Sequence, residues 1–253
     1  MSGNGHKQNQ RPQNLGELKS SGYKSRPVHD ELRENLSKAL VAGTALFPGI
    51  IGYDQTVIPA LINAVLSKHD ILLLGLRGQA KTRLLRQLVQ FLDEWMPAIA
   101  GSTLNEDPFN PITKPMRDLV EAMGRDTPIS WIHRSQRFNE KLATPDIAMV
   151  DLIGDIDPIR AAREKLDLSD ERVIHYGIIP RTHRGIFLIN ELADLQTRIQ
   201  VGLLNILEER DLQIRGFPLR LPLDIMMLFT ANPEDYTNRG NIITPLKDRI
   251  DSQ

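Results

Sequence analysis

Apolar residues are sparse at the start of the chain. Residues 1–28 are mostly Gly, Asn, Gln, Lys and Ser, too little to offset the entropy of ordering, and they read as a flexible tail before a folded part at 29–253. From Val28 a helical pattern sets in: ELRENLSKALVAG has helical spacing, FPGIIGYDQ is a Pro/Gly-punctuated turn, and TVIPALINAVLSK resumes the same period. Ile71-Leu72-Leu73-Leu74 is then a continuous apolar run stopped by Gly75, the pattern of a strand buried on both faces of a parallel sheet. TRLLRQLVQFLDEW returns to helical spacing.

Between Met96 and Arg125 four prolines break the pattern, and the stretch reads as loop with a short helix near MRDLVEAMG. SWIHR suits a strand, and LATPDIAMVDLIGDIDPIRAAREK mixes loop and helix. A second buried run, Gly185-Ile186-Phe187-Leu188-Ile189, leads to the amphipathic IQVGLLNILEER. DLQIRGFPLRLP follows, two short alternating segments parted by Gly216 in the manner of a hairpin. A third strand covers 224–231. Strands alternating with helices predict an α/β fold with a parallel central sheet between helical layers.

Composition narrows the classes. At 253 residues and 41% hydrophobic the chain fits one full domain plus extensions. Lys plus Arg number 31 against 32 for Asp plus Glu, so no net positive field favours nucleic acid or an anionic membrane, and neither is expected as a partner. The lack of cysteine removes disulfides and thiolate metal sites. With no apolar run of roughly 18–20 residues and no apolar signal core, the expected setting is soluble, not exported, and cytoplasmic.

The chemistry gathers at strand ends. Gly75-Leu76-Arg77-Gly78-Gln79-Ala80-Lys81-Thr82 lies between a buried strand and a helix, the context of a phosphate-binding loop. Backbone N–H groups there can cradle phosphate oxygens of ATP, Lys81 can reach the β and γ phosphates, and Thr82 can bind Mg²⁺. Ala80 stands where a second glycine is usual, and its methyl is expected to require a negative φ. The run at 186–189 delivers Asn190 and Glu191 to the edge where open α/β sheets bind ligands. Glu191 is the candidate general base, and Asn190 a neutral oxygen donor toward Mg²⁺ in place of an aspartate. Asp194 is positioned to compensate. Asn232, after the third strand, is placed to hold the attacking water, and Arg249, with Arg239 as the alternative, to stabilise charge on the phosphoryl group of a neighbouring subunit.

Taken in order, GLRGQAKT, GIFLINELADL, LLNILEERDLQIRGFPLRLP, LFTANPEDY and ITPLKDRI resemble the AAA+ branch containing MoxR proteins and the magnesium-chelatase ATPase subunit. The resemblance spans roughly residues 47–251. It implies a three-layer P-loop NTPase core, a hairpin insertion at 211–221 facing a pore or partner, and Ile51, Gly52 and Tyr53 near adenine. It also implies ATP hydrolysis in a homo-oligomeric (hexameric) ring that remodels a partner carrying a von Willebrand A-type domain. Relatives continue past the position of Gln253 into a helical lid, so the lid is expected to be absent and turnover weak.

Other classes stay in view. One is a nucleotide-gated binding module with little hydrolysis, favoured by Asn190; another is the ATPase subunit of a chelatase acting on a tetrapyrrole. An enhancer-type transcription activator would carry GAFTGA, which does not occur. His69, His133, His175 and His183 lack metal-ligand spacing. Phe91 and Trp95 are four apart, as on a packed helix face, so they and Trp131 read as core or interface residues.

Overall fold

Three apolar runs lie side by side in the computed structural model, which describes residues 11–214, 220–233 and 241–252. In chain order it contains α1 (Leu15–Ser20), α2 (Val28–Val41), α3 (Val57–Leu66), β1 (Ile71–Leu74), α4 (Lys81–Arg86), β2 (Trp95–Ile99), α5 (Lys114–Met123), β3 (Ile129–His133) and β4 (Phe138–Leu142). There follow α6 (Met149–Leu152), β5 (Gly154–Ile156), α7 (Pro158–Glu164), β6 (Ile174–Tyr176), α8 (Ile178–Arg181), β7 (Gly185–Asn190), α9 (Thr197–Glu209), β8 (Asp211–Gln213), β9 (Arg220–Pro222), β10 (Ile225–Ala231) and α10 (Thr244–Arg249).

The central sheet runs β1-β10-β7-β4, all parallel. Alternate residues of the two inner strands feed opposite cores. Ile186, Leu188, Met226 and Leu228 pack with α2 and α3, whereas Phe187, Ile189, Met227 and Phe229 pack with α9. Burial on both faces explains the unbroken apolar runs, each fully buried large side chain contributing about 1.5–3 kcal/mol. The result is the three-layer α/β architecture expected from the sequence. At the other edge, Leu72 N–H donates to the Ser252 carbonyl at 2.9 Å, so the chain runs alongside β1 there.

Several local expectations are corrected. The tail does not extend to residue 28: Asn14 caps α1 by accepting from Glu17 N–H at 2.8 Å, and Leu15 and Leu18 are 2% and 0% exposed. Ile129 N–H donates to the Gln13 carbonyl at 2.9 Å, and the Arg11 guanidinium sits 3.9 Å from the Trp95 ring centroid. The segment is ordered by docking on other elements, which its own composition could not reveal; residues 1–10 lie outside the described residues. Trp95 belongs to no helix. It starts β2, which pairs antiparallel with β3 inside the stretch read as loop. Phe91 instead turns inward to pack edge-on against Phe47. The hairpin insertion is present as antiparallel β8 and β9, with residues 215–219 outside the described residues. No helix among the described residues is long and apolar enough to cross a membrane.

One buried ion pair ties the layers. Arg137, 1% exposed, donates to both carboxylate oxygens of Glu31 at 2.7 and 2.6 Å, and its Nε donates to the Arg184 carbonyl at 2.9 Å. Glu31 also accepts from Asp93 N–H at 2.6 Å. Removing one partner strands the other charge, so Glu31→Ala is expected to lower the unfolding free energy by about 3–5 kcal/mol in urea denaturation.

His183 gives a pH signature. Its Nδ1 accepts from Asp224 N–H at 3.0 Å, and burial, with Arg184 adding to it, pushes the imidazole down to about 3. Its folded value lies below the unfolded value of about 6.5, so the unfolded chain binds the extra proton. Stability from this group is complete above that value and is lost as pH falls from about 6.5 toward 3, by up to about 1.4 kcal/mol per pH unit. Urea midpoints between pH 7 and 5 should fall less steeply for His183→Gln than for the natural chain.

Candidate functional site

β1, β7 and β10 end together because their registers are aligned: Leu74 pairs with Ala231, and Phe229 with Ile189. The polar residues that follow each run therefore emerge at one edge. Gly75 N–H donates to the Ala231 carbonyl at 3.2 Å, anchoring the start of the 75–80 loop to the end of β10.

The loop folds on itself. Leu76 N–H donates to Gln79 Oε1 at 2.8 Å, and Tyr53 O–H donates to the Gln79 carbonyl at 3.0 Å. Gly78 has φ +80, and Ala80 has φ +55 and ψ 18. The negative φ expected for Ala80 is thus wrong. The loop demands the left-handed conformation that a glycine takes freely, and the alanine adopts it at a cost of roughly 1–2 kcal/mol. Lys81 Nζ donates to the carbonyls of Gly75 at 2.5 Å and Leu76 at 2.9 Å, which holds it over the loop. Arg77 is exposed.

Thr82 Oγ1 donates to Asn190 Oδ1 at 2.8 Å, joining two motifs 108 residues apart. The same Asn190 oxygen accepts from Thr230 Oγ1 at 3.2 Å, and Thr230 Oγ1 accepts from Glu191 N–H at 3.1 Å. Glu191 is itself left-handed, φ +56, and its carbonyl accepts from Asp194 N–H at 2.9 Å, closing a tight turn. Asn232 is buried directly after β10. Thr230 was missed in the sequence. One threonine in an apolar strand is unremarkable until the register sets it beside Asn190.

A cavity of about 450 Å³ opens beside the loop, lined by Tyr53, Val57, Leu61, Leu74, Gln79 and Lys81 among others. Of the three residues expected near a base, Tyr53 lines it, Gly52 makes the turn with φ +86, and Ile51 is 91% exposed. Arg249, on α10, pairs with Glu208 of α9 within this chain. Arg239 lies outside the described residues. Among the described residues no group of three or more His, Cys, Asp or Glu side chains could hold a metal. The Thr82 hydroxyl and Asn190 amide are hard neutral oxygens, a donor set that fits Mg²⁺ when phosphate oxygens and water complete the shell.

An open parallel α/β sheet, with the 75–80 loop after its first strand and polar residues emerging beside that loop from the two inner strands, matches the fold of AAA+ P-loop NTPases. This agrees with the resemblance drawn from the sequence. No protein-family model matches the chain. Among solved structures, one of the complex between subunits BchI and BchD of magnesium chelatase is similar, with TM-score 0.50 and 19% identity over 89% of this chain and 60% of that one. A candidate ATPase from Cytophaga hutchinsonii has TM-score 0.49 and 17% identity over 92% of this chain and 53% of that one. NtrX from Brucella abortus in complex with ATP has TM-score 0.47 and 15% identity over 85% of this chain and 40% of that one. The chain thus spans 60% of the length of the chelatase chain it matches.

The strain at Ala80 is testable. Ala80→Gly should raise the urea unfolding free energy by about 0.5–1 kcal/mol, the relief of the left-handed alanine less the added freedom of the unfolded glycine.

Proposed function

We propose that this protein binds ATP with Mg²⁺ and hydrolyses it, as an AAA+ ATPase resembling the MoxR and magnesium-chelatase branch. The observation that carries the reading is the 2.8 Å hydrogen bond from Thr82 to Asn190, which brings the phosphate-loop motif and the second-strand motif into one site. Backbone N–H groups of residues 75–80 would cradle the phosphates, and Lys81 would leave the Gly75 and Leu76 carbonyls for phosphate oxygens, exchanging neutral acceptors for charged ones. Tyr53 and the cavity beside it would take the base.

Bound Mg²⁺ would neutralise phosphate charge. Thr82 would hold it through its hydroxyl oxygen while the hydroxyl hydrogen stays on Asn190, so Asn190 acts mainly by orienting Thr82. Glu191 accepts the proton of the attacking water as the Pγ–O bond forms, and the bond to the β-phosphate oxygen breaks to release ADP. Asn232 positions that water. Arg249 would serve the nucleotide of an adjacent subunit in a hexameric ring, and the β8–β9 hairpin would meet a partner such as a protein with a von Willebrand A-type domain.

A slower variant of the same reading, nucleotide binding that switches shape with little turnover, is favoured by the neutral Asn190, which lacks the charge an aspartate brings to the cation. Work as the ATPase subunit of a magnesium chelatase is the narrower version, supported by the fold shared with the BchI–BchD structure.

Binding of a fluorescent ATP analogue and steady-state phosphate release test the proposal together. Lys81→Ala should abolish binding, and Glu191→Gln should keep binding while cutting release by about 10²-fold or more. Asn190→Asp should lower the Mg²⁺ concentration needed for half-maximal release. Unchanged ATP binding in Lys81→Ala would sink the assignment.

A further inference from the structure

Thr230 is the one hydroxyl in the seven-residue apolar run of β10, and it is 1% exposed. A hydroxyl held out of water is costly unless both its donor and acceptor capacities are used. Here both go to the neighbouring strand end. Its hydrogen goes to Asn190 Oδ1 at 3.2 Å, and its oxygen takes the Glu191 N–H at 3.1 Å. The pairing of Phe229 with Ile189 leaves Thr230 beside Asn190 as the ladder ends, so the contact is built into the register of the sheet.

From this geometry we infer that Thr230 is a positioning residue for the hydrolytic step. It pins the left-handed turn at Glu191 and steadies the amide that orients Thr82. Left-handed backbone is unfavourable for glutamate, and a residue so strained persists only where its surroundings hold it. The Thr230 oxygen is part of that hold. Without it, the freed Glu191 N–H can relax toward the ordinary helical or extended regions, and the carboxylate swings away from the phosphate loop. Asn190 Oδ1 would keep Thr82 as a donor, so ATP and Mg²⁺ binding survive while water activation suffers. The inference rests on the ATPase reading above and concerns the same site.

The test is Thr230→Val, which keeps the shape and removes the hydroxyl, beside Thr230→Ser, which keeps the hydroxyl. Thr230→Val should lower kcat by about tenfold or more, the scale of a small misplacement of a reacting group, with KM and ATP affinity within about twofold. Thr230→Ser should restore most of the rate. In a Glu191→Gln background Thr230→Val should cost nothing further, because the hydroxyl acts through that carboxylate. Independently of turnover, hydrogen exchange at the Glu191 amide should rise in Thr230→Val and return toward the natural rate in Thr230→Ser.

An unchanged kcat, equal losses in kcat and ATP affinity, a loss additive with Glu191→Gln, or unchanged exchange at the Glu191 amide would each overturn the inference. Should the valine variant fail to fold, Thr230→Ala against Thr230→Ser supplies the same contrast without forcing an apolar group against Asn190. Retained ATP binding in Lys81→Ala would mark failure of the ATPase reading itself, separately from the role of Thr230.

Discussion

Everything at the site depends on the parallel pairing of β7 with β10. These strands are buried on both faces, so their backbone groups have no water to turn to and must bond to neighbouring strands. Parallel register brings the carboxyl ends out at one edge, and the first residues able to be polar, Asn190, Glu191 and Asn232, emerge together there. β1 joins the same ladder through Leu74 and Ala231, and the 75–80 loop begins one residue later.

Hydrogen bonds then convert proximity into geometry. Asn190 Oδ1 receives two hydroxyls, one from α4 after the 75–80 loop and one from β10, so three elements meet on a single oxygen. The buried Arg137–Glu31 pair does comparable work at the opposite end of the sheet, tying α2 to the segment entering β4. Desolvating the two charges offsets much of their attraction. The pair does satisfy the Asp93 N–H and the Arg184 carbonyl in the same stroke.

Strain also gathers at this edge of the sheet. Ala80, in the 75–80 loop, and Glu191, after β7, are both left-handed non-glycines. At Ala80 the loop's need to present its backbone overrides the preference of an alanine. At Glu191 the left-handed backbone closes the turn after β7. In each case local preference yields to a bond made elsewhere, by Tyr53 to the loop and by Thr230 to the turn.

What could be read along the chain was whatever a local pattern encodes: the runs at 71–74, 186–189 and 224–231, the helices at either side, and the motifs at their ends. Those runs must be buried on both faces, and that demand leaves an unbroken apolar signature. β4 carries no such signature, because Phe138–Leu142 is a half-buried edge strand with charged Glu140 and Lys141 inside it. β2 hid between a segment that looked helical and a run of prolines, whereas its partner β3 was legible in SWIHR. The docking of residues 11–28 escaped notice because partners such as Trp95, Thr127 and Ile129 lie far along the chain. The sequence by itself determined the α/β class, put Lys81 and Thr82 where a loop after the first strand meets a helix, and put Asn190 and Glu191 at the end of the second strand, since strand burial and loop chemistry are local. Only the tertiary structure decided that Thr82, Asn190 and Thr230 share one oxygen, that Ala80 is left-handed, and that Arg249 rests on Glu208, because each depends on register between elements distant in the chain.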